Sequence, residues 1–192
     1  FAVGRADLAV ARTDEELPDG TESVAILRKN VVVLWAPSAA AKAASRKPGK
    51  SKVKAIADLP GHRIGVIGRT DINVKLLHVI LKESGVDPDK VEVVQFNPTQ
   101  INDMVKDPAV DAFMIVASND SKLISDAITA TARLRSEPVF LPVDVSEAIT
   151  SRHPFYESQE IPGGSITTSP ARPEDKVETV GINHLIVAPK SL

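Results

Sequence analysis

The sequence contains no cysteine, which excludes disulfide bonds, thiolate metal sites and a cysteine nucleophile. Aromatic residues make up only 4% of the chain. No run of apolar residues approaches the roughly 20 that are needed to cross a bilayer. An excess of positive charge is also lacking, because the net charge is -2 at pH 7. The composition therefore provides no electrostatic field that would attract nucleic acid.

Apolar residues make up 43% of the 192 positions, and most are Val, Ile, Leu and Ala. Short runs of this kind are typical of parallel strands that are buried on both faces. They predict strands at Asp7–Ala11, Ser23–Leu27, Val31–Ala36, His62–Ile67, Val91–Gln95, Ala112–Val116 and Val139–Val143. Apolar stripes at helical spacing predict helices at Ile72–Ser84, Pro98–Lys106, Ser121–Arg133 and Val145–Ser151. The alternation of strands and helices predicts a parallel sheet with helices on both faces.

The pattern divides the chain into four parts. Residues 1–37 are predicted to be a partial first lobe with a crossing strand, and residues 38–54 a basic flexible loop. Residues 55–152 are predicted to be a second α/β lobe, and residues 153–192 the return crossing and strands of the first lobe. In this last part Ile161–Gly164 predicts a turn, and Val177–Val187 a two-part strand. Because Phe1 is preceded by no signal sequence, we expect the chain to begin inside a larger domain or after processing.

Small polar and basic residues follow the ends of several predicted strands. In open α/β sheets, ligands bind outside the carboxyl ends of the strands, where helix N–H groups point outward. Arg69 adds a planar guanidinium suited to a carboxylate. Each of these corners could instead serve only to cap a helix. The predicted ligand-binding residues are Arg12, Thr13, Ser38, Gly68, Arg69, Thr70, Asp71, Thr99, Ser118 and Asn119.

Motifs for catalysis or metal binding are missing. The sequence GKSK at Gly49–Lys52 lacks the upstream glycine of a phosphate-binding loop, and no G-x-S-x-G elbow occurs. The four histidines, His62, His78, His153 and His184, form no H-x-x-x-H pair. We therefore expect no enzymatic activity, no cofactor and no bound metal.

Three stretches resemble periplasmic solute-binding proteins. AIADLPGHRIGVIGRTDIN at 55–73 is similar to the start of their second lobe, and VDAFMIVASND at 110–120 resembles a strand that they carry after a helix. HPFYESQEIPGGSITTS at 153–169, followed by VETVGINHLIV at 177–187, is similar to the tail of the TAXI family. Members of that family are the solute receptors of TRAP-type transporters. The resemblance runs from about Gly4 to Val187, and its tail is the most specific part.

The resemblance implies an α/β fold of the periplasmic-binding-protein-like type (type II), with one largely complete doubly wound lobe plus part of a second lobe. It implies an extracytoplasmic solute-binding subunit of a TRAP-type transporter. Such a subunit captures a small anionic solute (a dicarboxylate, oxo acid or acidic amino acid) in an interlobe cleft by hinge closure. Its partners are the solute and membrane permease subunits, with no nucleic acid. The location implied is periplasmic, with a signal peptide removed or an anchor outside this chain.

Two departures from the family pattern leave the solute open. Gly68-Arg69-Thr70-Asp71 stands where the family has a turn of small residues, and Ser165-Ile166 where it has an aromatic residue. Two other functions remain possible on the same fold: a ligand-sensing domain of a receptor or regulator, and a prephenate-dehydratase-like enzyme. Three aromatic residues have two interpretations, packing inside the protein or contact with a ligand; they are Trp35, Phe155 and Tyr156.

Overall fold

The structure is a computed structural model that describes residues 7–17, 19–38 and 53–190. Most of the basic loop predicted at 38–54, from residue 39 to residue 52, lies outside the described residues. The strands are β1 Ala9–Arg12, β2 Thr21–Pro37, β3 Arg63–Ile67, β4 Glu92–Phe96, β5 Ala112–Ala117, β6 Pro138–Phe140, β7 Tyr156–Ile161, β8 Thr167–Thr168, β9 Ala171–Arg172 and β10 Val177–Pro189. The helices are α1 Ile72–Glu83, α2 Ile101–Lys106, α3 Lys122–Leu134 and α4 Ser146–Arg152.

Eight of these strands form one sheet in the order β1-β10-β2-β5-β3-β4, with β6 paired to β2 and β7 paired to β10. The pairs β3–β4 and β3–β5 are parallel, as the alternation of strands and helices predicts. The expectation is wrong for β6, the last strand of that alternation, which pairs with β2 in antiparallel fashion. The strands outside the alternation, β1, β2, β7 and β10, also form antiparallel pairs. The strands β8 and β9 form a separate two-stranded sheet.

Helices cover both faces of the sheet, so the central strands are apolar on both sides. On one face, which we call the α1 face, buried side chains of α1 and α4 pack with alternate residues of β2, β3 and β5. On the other, the α3 face, α2 and α3 pack with the intervening residues. Leu34 and Met114 lie on the α1 face, whereas Val33 and Phe113 lie on the α3 face. The doubly wound lobe has its core in these two layers.

β2 is one strand of 17 residues where the sequence predicts two. The apolar pattern is interrupted at Arg28–Asn30, but β10 pairs with β2 along its whole first half, and β5 pairs with its second half. Two register shifts occur along the β2–β10 pairing, where Leu27 and Val24 are the extra residues. β1, residues 21–30 of β2 and residues 183–189 of β10 thus form a three-stranded ribbon that extends beyond the lobe.

β7 is absent from the sequence prediction. Of its six residues, YESQEI, only Tyr156 and Ile161 are buried, and the residues between them are polar. Such a pattern gives no apolar run, and the strand forms because it pairs with the first half of β10 at the edge of the sheet.

Trp35 lies in the core of the lobe and is 0% exposed. Its ring centroid is 5.3 Å from that of Phe113, and its Nε1–H donates a hydrogen bond of 2.9 Å to Oγ1 of Thr131. The hydroxyl of Thr131 in turn donates to the carbonyl oxygen of Ala127 at 2.9 Å. The structure therefore favours packing over ligand contact for Trp35.

Replacement of Thr131 by Val is expected to destabilise the lobe by about 1–3 kcal/mol, because it leaves the buried indole N–H of Trp35 without an acceptor. Urea unfolding followed by circular dichroism measures the loss. Thr129→Val is the matched control, since Thr129 lies on the same helix and is exposed. Equal losses in the two variants would contradict this role of the hydroxyl.

Candidate functional site

The parallel strands β3, β4 and β5 all end at one edge of the sheet, and the corners that follow them meet there. The backbone N–H of Gly68 donates to the carbonyl oxygen of Phe96 at 2.9 Å. The side-chain amide of Gln95 donates to the carbonyl oxygens of Gly68 and Thr70, at 2.8 Å each. The corner after β3 is therefore held by the end of β4.

The corner after β5 lies against the point where the ribbon leaves the lobe. Ala117 pairs with Val31, so one further step of the same register places Ser118 beside Asn30. Ser118 and Asn119 are half-buried, and the Oδ1 atom of Asn119 is buried without a hydrogen-bond partner among the described residues. Predicted residues after β3 and β5 thus lie together at one edge of the sheet, which is where open α/β folds bind ligands.

The start of α1 lies at this same edge and has no side-chain cap. Asp71 occupies the N-cap position but accepts no hydrogen bond from the first turn, and instead forms an exposed ion pair of 3.0 Å with Lys75. Arg69 and Thr70 are exposed, and Arg69 has no hydrogen bond or ion pair with any residue that the structure describes. Free N–H groups at a helix start, next to a guanidinium, are chemically suited to an anion.

Arg12 is buried and links the end of β1 to α1. Its Nε and Nη2 atoms donate to the two carboxylate oxygens of Asp14 at 3.0 and 2.9 Å, and Nη1 donates to Oδ1 of Asn73 at 2.5 Å. The side-chain amide of Asn73 donates to the carbonyl oxygen of Ile67 at 2.8 Å. The side chains of Arg12 and Asp14 are only 10% and 3% exposed. Arg12 therefore fixes the ribbon to the lobe, and its predicted contact with a ligand stays a prediction.

Two aromatic residues at and just before the start of β7, Tyr156 and Phe155, contact the same cluster. The hydroxyl of Tyr156 donates to Oδ2 of Asp14 at 3.3 Å, and burial together with this carboxylate raises the pKa of Tyr156. Phe155 packs edge-on against Tyr156 with 4.8 Å between centroids and is 41% exposed. Oγ1 of Thr13 donates to the carbonyl oxygen of Phe155 at 2.9 Å. Thr13 and Tyr156 thus both have structural hydrogen bonds here.

Two predicted residues lie apart from this cluster. Thr99 is exposed and lines a groove of about 410 Å³ between α2 and α3, on the α3 face. Ser38 follows the far end of β2, where its N–H donates to the carbonyl oxygen of Glu137 at 2.8 Å. Because β2 runs antiparallel to β5, this end lies at the opposite edge of the sheet. The structure does not bring Ser38 together with the other corners.

The sequence prediction omitted Asn30 and His184 from the site. It placed Asp14 and Asn73 in the corners that follow Ala11 and Ile67 but assigned neither of them to the ligand. Asn30 is buried with its Oδ1 atom unpartnered among the described residues, as is Nδ1 of His184. Asn73 is a polar residue among the buried apolar residues of α1, and this was the one feature of the sequence that could have indicated its role. The partners of Arg12 and His184 depend on strand register, which no local pattern reveals.

The structure also bears on metal binding and on membrane-spanning helices. Among residues 7–17, 19–38 and 53–190, no group of three or more His, Asp or Glu residues could hold a metal ion. Over the same ranges, no helix has the length and apolarity to cross a membrane.

The sequence from residue 4 to residue 136 matches the family described as NMT1/THI5 like, which is more than half of the chain. The chain belongs to the NMT1/THI5-like family. Members of this family are periplasmic-binding-protein-like. Among curated proteins, none matches this NMT1/THI5-like sequence. The TAXI resemblance is thus confirmed at the coarser level of a periplasmic-binding-protein-like family, and the TAXI assignment itself stays a prediction.

Solved structures similar to this NMT1/THI5-like chain include the GluR0 ligand-binding core in complex with L-glutamate, with 12% identity and a TM-score of 0.50. That match covers 100% of this chain and 62% of the other. The aliphatic sulphonate binding protein SsuA from Escherichia coli has 16% identity and a TM-score of 0.43, with coverages of 78% and 52%. A probable transcriptional regulator from Pseudomonas aeruginosa has 15% identity and a TM-score of 0.44, with coverages of 98% and 46%.

At these identities the likeness concerns the fold alone, and the chain spans between 46% and 62% of the length of these three proteins. The family match and the GluR0 structure confirm the predicted fold class. The fold is α/β and periplasmic-binding-protein-like (type II), with one largely complete doubly wound lobe plus part of a second lobe. The four domain boundaries given above stay predictions.

Asp14→Asn is expected to lower the free energy of unfolding by about 3 kcal/mol or more, because it leaves the buried guanidinium of Arg12 without its carboxylate. Asp71→Asn removes the exposed ion pair with Lys75 and should cost less than about 1 kcal/mol. Both values follow from urea unfolding at neutral pH. Similar losses in the two variants would show that the Arg12–Asp14 pair is no more than a surface contact.

Proposed function

We propose that this chain is the solute-capturing part of an extracytoplasmic solute-binding protein and that it performs no catalytic step. The solute is a small anion, such as a dicarboxylate, an oxo acid or an acidic amino acid. It binds in the crevice at the carboxyl ends of β3, β4 and β5, and a TRAP-type permease in the membrane is the partner that receives it.

The observation that carries this proposal is the uncapped start of α1 beside the unpaired Arg69. An anion bound there would accept hydrogen bonds from the first N–H groups of the helix and from a guanidinium that has no protein partner among the described residues. By contrast, the guanidinium of Arg12 is already neutralised by Asp14. Arg69 is therefore the residue to which we assign recognition of a carboxylate.

Closure around the solute depends on the ribbon. β2 and β10 each continue from the core of the lobe into the ribbon, so a second lobe carried on the ribbon would move relative to the first by bending these two strands. A solute that bridges both lobes stabilises the closed arrangement through contacts that the open one does not make. The register shifts at Leu27 and Val24 are positions where the ladder is already interrupted, and we propose that the bend occurs there.

Membership of the NMT1/THI5-like family, which is periplasmic-binding-protein-like, supports the general class of function. The GluR0 core was solved with L-glutamate, which is an acidic amino acid. At 12% identity this neighbour shares the fold alone. The anionic character of the solute is therefore inferred from Arg69 and the start of α1, and not from that ligand.

Isothermal titration of the full-length protein with dicarboxylates, oxo acids and acidic amino acids tests the proposal. At least one solute is expected to bind with a micromolar Kd, and Arg69→Gln should weaken it about tenfold or more, because a charge-assisted hydrogen bond is worth about 1.5–3 kcal/mol. Lys75→Gln is the control for general charge, since Lys75 is exposed one turn further along α1. Silence across the whole panel, or equal weakening in both variants, would refute the assignment.

A further inference from the structure

Three basic side chains lie side by side across the ribbon. Arg12 on β1 is the register partner of His184 on β10, and His184 is the register partner of Arg28 on β2. Residues directly opposite each other in antiparallel strands point to the same face, with about 5 Å between their Cβ atoms. Asn73, which Arg12 contacts, belongs to the first turn of α1, so this row lies on the α1 face of the ribbon.

Like charges in directly opposite positions destabilise a sheet unless something compensates them. Arg12 is compensated by Asp14 and Asn73. Arg28 is exposed and has no hydrogen bond or ion pair with the residues that the structure describes. His184 is half-buried, and its Nδ1 atom has no partner within the same ranges. Arg28 therefore lacks a counter-ion, and the imidazole of His184 lacks a hydrogen-bond partner at Nδ1 among the described residues.

The charges around His184 come from both neighbouring strands. Arg28 faces it from β2, Arg12 from β1, and Asp14 and Glu15 from the turn that follows β1. Burial, followed by Arg28 and Arg12, holds the pKa of His184 below its ordinary value, and the two carboxylates only partly oppose this. Asp14 is already shared between Arg12 and Tyr156, so it is poorly placed to neutralise Arg28 as well.

We propose that Arg28 and His184 form an anion subsite on the ribbon, which binds an oxyanion group such as a carboxylate or sulfonate at the mouth of the crevice. This inference rests on the proposed function, because it supplies the solute with a second anchoring point in addition to Arg69. The guanidinium of Arg28 and the protonated imidazole of His184 are the donors, and the bound anion takes the place of the missing counter-ion.

Binding at this subsite is coupled to protonation of His184. The anion stabilises the imidazolium form, so it raises the pKa of His184, and by reciprocity protonation raises the affinity for the anion. The coupling operates as the pH falls through the titration range of His184, and it disappears at higher pH, where the imidazole is neutral in both the free and the bound state. A rise of about 0.5 in the titration midpoint corresponds to about threefold tighter binding of the anion at low pH.

Titration of the histidine ring signals by NMR tests this, with sulfate as the probe and chloride at equal ionic strength as the reference. Sulfate is expected to raise the midpoint of His184 by about 0.5 or more, as an opposite charge within a few ångströms does. The ring signals of the exposed His78 on α1 are the internal control for a general effect of the salt. Equal behaviour of the two histidines would overturn the subsite.

Arg28→Gln separates a direct contact with the anion from a structural effect. Without sulfate, the variant should raise the midpoint of His184, because a repelling charge is removed. Addition of sulfate should then raise the midpoint of His184 in this variant by less than half as much as in the unchanged protein. Lys29→Gln, which removes a neighbouring charge on the opposite face of β2, should leave the sulfate effect intact. A sulfate effect that is unchanged by Arg28→Gln would overturn the proposal.

The outcomes for the subsite and for solute capture are distinguishable. If no solute of the panel binds while sulfate still shifts His184, the subsite stands and the proposed function falls. If a solute binds while neither that solute nor sulfate shifts His184, the proposed function stands and the subsite is refuted.

Discussion

β2 and β10 are hydrogen-bonded to each other from the pair Val31–Gly181 to the pair Thr21–Pro189, and both strands continue into the lobe. Inside the lobe, β5 pairs with the second half of β2, and β7 pairs with the first half of β10. The same two strands therefore carry the ribbon and the core. The lobe ends of both strands are fixed between two helical layers, so any bending of these strands is confined to the ribbon itself.

Much of the lobe follows from local patterns. The apolar stripe of Ile72, Leu76, Val79 and Ile80 predicts α1 to within one residue of its observed bounds, and Gly85 ends the helix with a φ of 74°. Periodicity is a property of neighbouring residues, so it succeeds where an element is apolar on its own. It fails for β7 and for the middle of β2, because these segments are polar and become strands through the partners they acquire.

The candidate site is predictable only in part, for the same reason. The turns that follow strands can be predicted from the sequence, and the turns after β3 and β5 do lie at one edge of the sheet. The contact between Arg12 and Asn73 joins positions 61 residues apart, and the row of Arg12, His184 and Arg28 depends on the register of three strands. Neither this contact nor this row can be inferred without knowing which strands pair and in which register. An arginine that looks available to a ligand in the sequence can therefore be occupied by its own neighbours.

The buried position of Trp35 has an optical consequence. It is the only tryptophan in the chain, and it packs against Phe113. Phe113 lies near the start of β5, four residues before the end of the strand from which the crevice corner begins. The emission of Trp35 is therefore expected to be blue-shifted and to report the integrity of the core, and a molecule that binds at the crevice should leave this emission unchanged. A fluorophore attached at an exposed position such as Phe155 is the suitable reporter for occupancy.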